Sequence, residues 1–244
     1  MSCLCYNYEQ MKPLSKTGFT IIEVILFIGI SGALIVGILM GTGNSINTQR
    51  YHDSVYSFRT FLQQQYSDVL NIGNSNLSND CNSASMPRGQ SDCVIMGKYI
   101  TTSDSKKFNV KSVIGTIPSS PSLPDEIAEI KNYNIKISST ANTDLYEMEW
   151  GSSISDTSGA SKVLSMLVLR SPVSGTTKTF ISEVNPPFPD VDISSLLTTA
   201  ALTTSANNCI NSGDIFTGGR MSVVVNKNSS NANAIVTFGD DSGC

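Results

Sequence analysis

The sequence predicts an α+β protein in which a long N-terminal α-helix, its first half suited to a membrane, packs against an antiparallel β-sheet domain. Three observations predict it. Residues 19–40 are apolar or small, with Glu23 the single ionisable side chain. Beyond Asn44 the chain turns polar, yet apolar residues keep stepping by three or four. After residue 72 come short runs rich in β-branched residues, separated by Asn, Ser, Gly and Pro.

At 1.5 Å per residue, a helix over residues 19–40 reaches roughly 33 Å, enough to cross the hydrocarbon core of a bilayer. Lys12 and Lys16 precede it, and the positive-inside tendency keeps that flank cytoplasmic and exports the chain beyond the helix. No small-residue A-x-A site comes after Met40, so the segment does not read as a secretory signal removed after its apolar run. The small residue Gly18 instead stands just before the run. A cut there removes a polar leader and leaves the helix in place. A carboxylate inside a membrane helix costs about 2.5–3.5 kcal/mol on insertion scales, so Glu23 needs a compensating group. The α-amine freed at Phe19 would lie four residues away, one helical turn, or could come from an adjacent subunit.

The string Lys16-Thr17-Gly18-Phe19-Thr20-Ile21-Ile22-Glu23 and its apolar tail resembles the prepilin motif of type IV pilins and their pseudopilin relatives. The resemblance covers residues 16–40. It implies that a prepilin peptidase cleaves between Gly18 and Phe19 and N-methylates Phe19, and that Phe19 and Glu23 serve filament assembly. It also implies the pilin-like form of the α+β class, with a leader at 1–18, a helix at 19–71 whose residues 19–40 are the transmembrane and assembly part, and an exported domain at 72–244. The implied location is a single pass in the inner (cytoplasmic) membrane before assembly and an extracellular filament after it. The implied partners are other pilin subunits, the prepilin peptidase, membrane lipid, and a membrane platform with a separate assembly ATPase. Many family members carry a proline where this chain has Met40; Gly37, Gly41 and Gly43 surround that place and can loosen the helix there. Gly29 and Ala33, and Gly37 and Gly41, add small-xxx-small spacings that let helices approach closely in lipid.

Tyr51, Val55, Phe58, Leu62, Tyr66 and Val69 form one apolar stripe, which predicts that the helix continues to about Leu70 with this face on a core. The Asn71-Ile72-Gly73-Asn74 string stops it. Residues 73–97 read as a loop, 107–114 and 132–137 as strands, and 118–124 as a connector. Alternation over 145–150 places Tyr146, Met148 and Trp150 on one face and Glu147 and Glu149 on the other. Runs at 163–169 and 177–182 flank Pro172-Val173-Ser174-Gly175 and predict a hairpin. Residues 186–189 are a proline-rich loop, 193–202 a short helix, and 220–225 and 234–238 a final pair of strands.

The chain has 244 residues, six cysteines and a formal charge of −4. Cys3 and Cys5 belong to the expected cytoplasmic leader. Cys81, Cys93, Cys209 and Cys244 allow three connectivities; Cys81–Cys93 and Cys209–Cys244 are favoured because each pair brackets a loop-rich segment. The acidic balance makes nucleic acid a poor partner, and Lys106, Lys107 and Lys111 read as a soluble edge strand. His52 is the single histidine and has no evident metal-site or triad partners. Glu147 with Glu149 read as solvent-facing strand residues, and Asp190, Asp192, Asp240 and Asp241 as turn formers rather than Ca²⁺ ligands. No enzyme, metal or cofactor is therefore expected. Three functions remain: a major or minor pilin of a type IV pilus or similar filament, a pseudopilin of a secretion or DNA-uptake machine, and a membrane-anchored ligand binder that does not polymerise.

Overall fold

The computed structural model describes residues 18–71, 93–102, 104–119, 123–139, 143–172, 174–183, 193–213, 218–239 and 244. The expected leader 1–17, Cys81, the proline-rich loop 186–189, and Asp190, Asp192, Asp240 and Asp241 lie outside the described residues. The chain divides into two units, Met1–Ser45 and Ile46–Cys244.

The first unit holds the start of helix α1 (Ile21–Leu70). Large apolar side chains here are uncovered: Ile22 is 72% and Leu39 65% exposed. By length and composition, α1 can cross a membrane.

In the second unit the predicted stripe of α1 is buried, from Tyr51 through Val69. The chain turns at Asn71, as the stop signal predicts. Among the described residues, ten strands form two antiparallel sheets rather than one. The six-stranded sheet comprises β1 (Cys93–Thr102), β2 (Lys107–Thr116), β3 (Lys136–Ile137), β4 (Asp144–Glu147), β6 (Leu164–Arg170) and β7 (Thr177–Ser182), in the order β3-β2-β1-β6-β7 with β4 also on β2. The four-stranded sheet comprises β5 (Ser153–Ser155), β8 (Ala206–Asn211), β9 (Ser222–Val225) and β10 (Ile235–Phe238), in the order β10-β9-β8-β5.

One core joins the α1 stripe to both sheets, through Ile100, Phe108, Leu164, Met166 and Val168 of the larger and Ile210, Val223, Val225 and Ile235 of the smaller. The opposite face of the larger sheet (Tyr99, Val113, Leu167, Leu169, Phe180) packs on Ile130 of α2 (Glu126–Asn132), on Leu196 and Leu197, and on Ala201 of α3 (Thr199–Thr203). The larger sheet is thus covered on both faces. That explains why β6, Leu-Ser-Met-Leu-Val-Leu, is continuously buried instead of alternating.

Several expectations are corrected. The loop expected over 73–97 gives way at Cys93, where β1 begins. Asn132 ends a helix and not a strand, because Asp125 caps α2 by accepting Ala128 N–H at 2.9 Å; only Lys136 and Ile137 pair with β2. Lys107 and Lys111 stand on an interior strand, since β2 has β1 on one side and β3 and β4 on the other. The alternation at 145–150 holds for Tyr146 and Met148 but fails at Trp150. There the chain enters a 3-10 turn (Glu149–Gly151) with Trp150 at φ 56°, leaving its ring partly exposed beneath Arg50, whose guanidinium lies 4.7 Å from the ring centroid. The expected helix at 193–202 splits into a 3-10 turn (Ile193–Leu196) and α3, which Thr198 caps through Ala201 N–H. The hairpin of β6 with β7 and the final pairing of β9 with β10 form as predicted.

Candidate functional site

The candidate site is residues 18–23, at the head of α1. Gly18 lies in open space, and Phe19 is 80% exposed. The helix starts at Ile21, two residues later than the apolar run, because Thr20 ends it. The Thr20 carbonyl accepts Glu23 N–H at 3.1 Å and Val24 N–H at 3.2 Å, and its hydroxyl accepts Glu23 N–H at 3.3 Å. Thr20-x-x-Glu23 has the spacing of a capping box, of which the structure makes the threonine half. Sequence reasoning centred on membrane insertion passed over this signal, legible as a threonine three residues before a glutamate.

Glu23 sits in the first turn, where the helix dipole favours a negative charge. Its carboxylate has no hydrogen bond or ion pair among the described residues. Phe19 and Glu23 are four residues apart, so a charged amine at Phe19 would emerge about one turn from that carboxylate. The geometry offers an unpartnered acid on an uncovered apolar helix, preceded by an accessible Gly18–Phe19 bond. It can receive a cation and pack against another apolar surface.

In the second unit the Cys209–Cys244 disulfide is present, with Cα atoms 5.7 Å apart. Cys93 is also disulfide-bonded; the Cys81 end of the expected Cys81–Cys93 pair lies outside the described residues.

The residues weighed for chemistry do not converge. His52 lies against Tyr51 and Tyr56, with ring centroids 6.1 and 6.5 Å away. Glu147 pairs with Lys107 at 3.7 Å, whereas Glu149 accepts a hydrogen bond from Ser57 at 3.2 Å. Among the described residues no three His, Cys, Asp or Glu side chains are grouped so as to hold a metal. The Lys106 and Lys107 N–H groups both donate to Asp104 Oδ1, so this basic stretch is bound into its own turn.

What sequence reasoning missed is a polar cleft between the two sheets. Lys162 spans them: its Nζ donates to Glu183 Oε1 at 2.6 Å, just past β7, and to the Asn207 carbonyl on β8 at 2.5 Å. No motif announces it, since the three residues are far apart in sequence. Comparison with protein-family models, with characterised proteins and with solved structures finds no match for this chain.

Proposed function

We propose that this chain is a structural subunit of a type IV pilus or pilus-like filament, held in the membrane by α1 and assembled through that helix after its leader is removed. One observation carries the reading: an accessible Gly18–Phe19 junction opens an uncovered apolar helix whose only early charge, Glu23, stands one turn along without a partner among the described residues. Burying that acid in lipid or among neighbouring helices is unfavourable unless a cation meets it, and cleavage creates one at Phe19. The amine of one subunit meeting the acid of the next would then place successive helices in register. The β domain, covered on both faces of its larger sheet, would form the filament exterior.

Three substitutions test the mechanism. Replacing Gly18 with a bulky residue is expected to leave the leader attached and to stop assembly; normal filaments from that strain would refute the processing step. Glu23→Val is expected to be cleaved and retained in the membrane but to enter filaments poorly. A capping role alone would be met equally well by Glu23→Gln, which keeps a hydrogen-bonding group and removes the charge. If Glu23→Gln assembled like the parent chain, the charge-pairing role would be wrong.

A further inference from the structure

We propose that the cleft between the β5–β6 loop, the end of β7 and the start of β8 binds a neutral saccharide of about disaccharide size. The cleft encloses about 440 Å³, within the range that small-molecule sites occupy. A second hollow of about 300 Å³ abuts it, sharing Glu183 and continuing from Ser205 to Thr204. The first is lined by polar groups apart from Val163. The second adds apolar surface from Leu196, Ala200 and Ala201.

Among the described lining residues the one cation of the cleft is already matched by the protein. Lys162 is held by Glu183 and the Asn207 carbonyl. Asp156 accepts from the Ser158 hydroxyl at 2.6 Å and from Ala160 N–H at 2.9 Å. Among the described lining residues an anion entering here finds no free cation, and a cation finds only Asp156, already held by neutral donors. What stands unpartnered is neutral: the hydroxyls of Thr157, Ser161 and Ser205 make no hydrogen bond among the described residues, and Asn207 Oδ1 lies buried in the cleft wall without a donor. Neutral groups that both donate and accept are the complement of a sugar's hydroxyls, and the adjoining apolar hollow suits its C–H face.

The cleft wall is also built in advance. Asp156 N–H donates to the Ala160 carbonyl at 2.9 Å, Gly159 takes a left-handed turn at φ 91°, and Ser155 bridges Ser161. Arg220 ties the same loop down from outside by donating to the Thr157 carbonyl at 3.2 Å and to the Cys244 carbonyl. A site fixed before binding loses less entropy when its ligand arrives. The inference stands apart from the filament reading, because a single chain holds every group named.

The test is ligand-observed saturation-transfer NMR on the full-length chain in a detergent without a sugar headgroup. Lactose, maltose and diacetylchitobiose serve as neutral probes, with N-acetylneuraminic acid and spermidine as charged ones. At least one neutral disaccharide is expected to bind, and more tightly than either charged probe. Ser205→Tyr and Thr157→Tyr change exposed residues and should fill the cleft without unfolding the domain. Each is expected to weaken binding at least tenfold while leaving the circular dichroism spectrum unchanged. The proposal is overturned if no neutral probe binds, if only a charged probe binds, or if binding survives both tyrosine variants.

Discussion

Tyr51→Phe probes how α1 is locked into the two-sheet domain. The ladder between β8 and β9 is regular as far as Cys209 opposite Ser222. At the next pair Ile210 N–H still donates to the Met221 carbonyl at 2.9 Å, but the return bond is missing. The Tyr51 hydroxyl takes its place, accepting Met221 N–H at 2.6 Å and donating to the Ile210 carbonyl at 3.0 Å. Removing one oxygen therefore orphans two backbone groups beside a side chain that is 2% exposed. An unsatisfied buried group costs about 1–3 kcal/mol, which gives about 2–6 kcal/mol for the two if the strands stay apart and about 1 kcal/mol if they close up. Urea unfolding in mild detergent, followed by the fluorescence of Trp150, reads the loss as a lower midpoint at unchanged slope. Tyr56→Phe is the control, since Tyr56 is exposed and its loss should stay within about 0.5 kcal/mol. If Tyr51→Phe matched that control, and exchange of the Met221 amide did not accelerate, the hydroxyl would not be the lock described here.

Gly97→Ala should be among the most damaging single-methyl additions in the domain, by about 3 kcal/mol or more, because an added Cβ would sit 2.0 Å from the Val168 carbonyl at the irregularity in the β1–β2 register. Thermal unfolding checks it; a change under about 1 kcal/mol would contradict the close approach. Replacing both Cys209 and Cys244 with Ser opens a loop of 35 residues and should cost about 4 kcal/mol in the chain-entropy account, read by the same denaturation. Glu126 is held below the ordinary glutamate range, chiefly by its hydrogen bond with Lys178 at 2.7 Å and then by Ser174. A depressed carboxylate stabilises the fold above its unfolded pKa, about 4.3, and loses that contribution as pH falls through the folded value. Glu126→Gln should therefore flatten the stability-against-pH curve below about pH 4.3; an unchanged acid limb would contradict the assignment.

Much of the helical half of the molecule was legible in the sequence. Tyr51, Val55, Phe58, Leu62, Tyr66 and Val69 recur at the helical period because one face of α1 is buried, and burial is what such a pattern records. Pro172 and Gly175 marked the β6–β7 turn for a similarly local reason, Gly175 having φ 69°. The second sheet was not legible. Its central strand β8 contains Asn207 and Asn208, which read as loop formers, and Asn208 is tolerated at 0% exposure because its Nδ2 donates to the Val223 carbonyl at 3.1 Å. That partner is a tertiary fact. The strand start at Cys93 was hidden in the same way by the Asn- and Ser-rich stretch before it, and Trp150 by a turn that breaks the alternation after Met148. At the candidate site the sequence placed Gly18, Phe19 and Glu23 together, while the Thr20 cap, legible as Thr-x-x-Glu, was hidden by the apolar run that begins one residue earlier. The Lys162 cleft depends on side chains brought together from three strand ends, which no local pattern encodes.

The central claim is that proteolysis at Gly18–Phe19 frees the amine that meets Glu23. Mass spectrometry of the N-terminus of the mature protein, isolated from its native membrane or filaments, tests it most directly. The account predicts a polypeptide beginning at N-methylated Phe19; one still beginning at Met1 in its assembled, working form would contradict it.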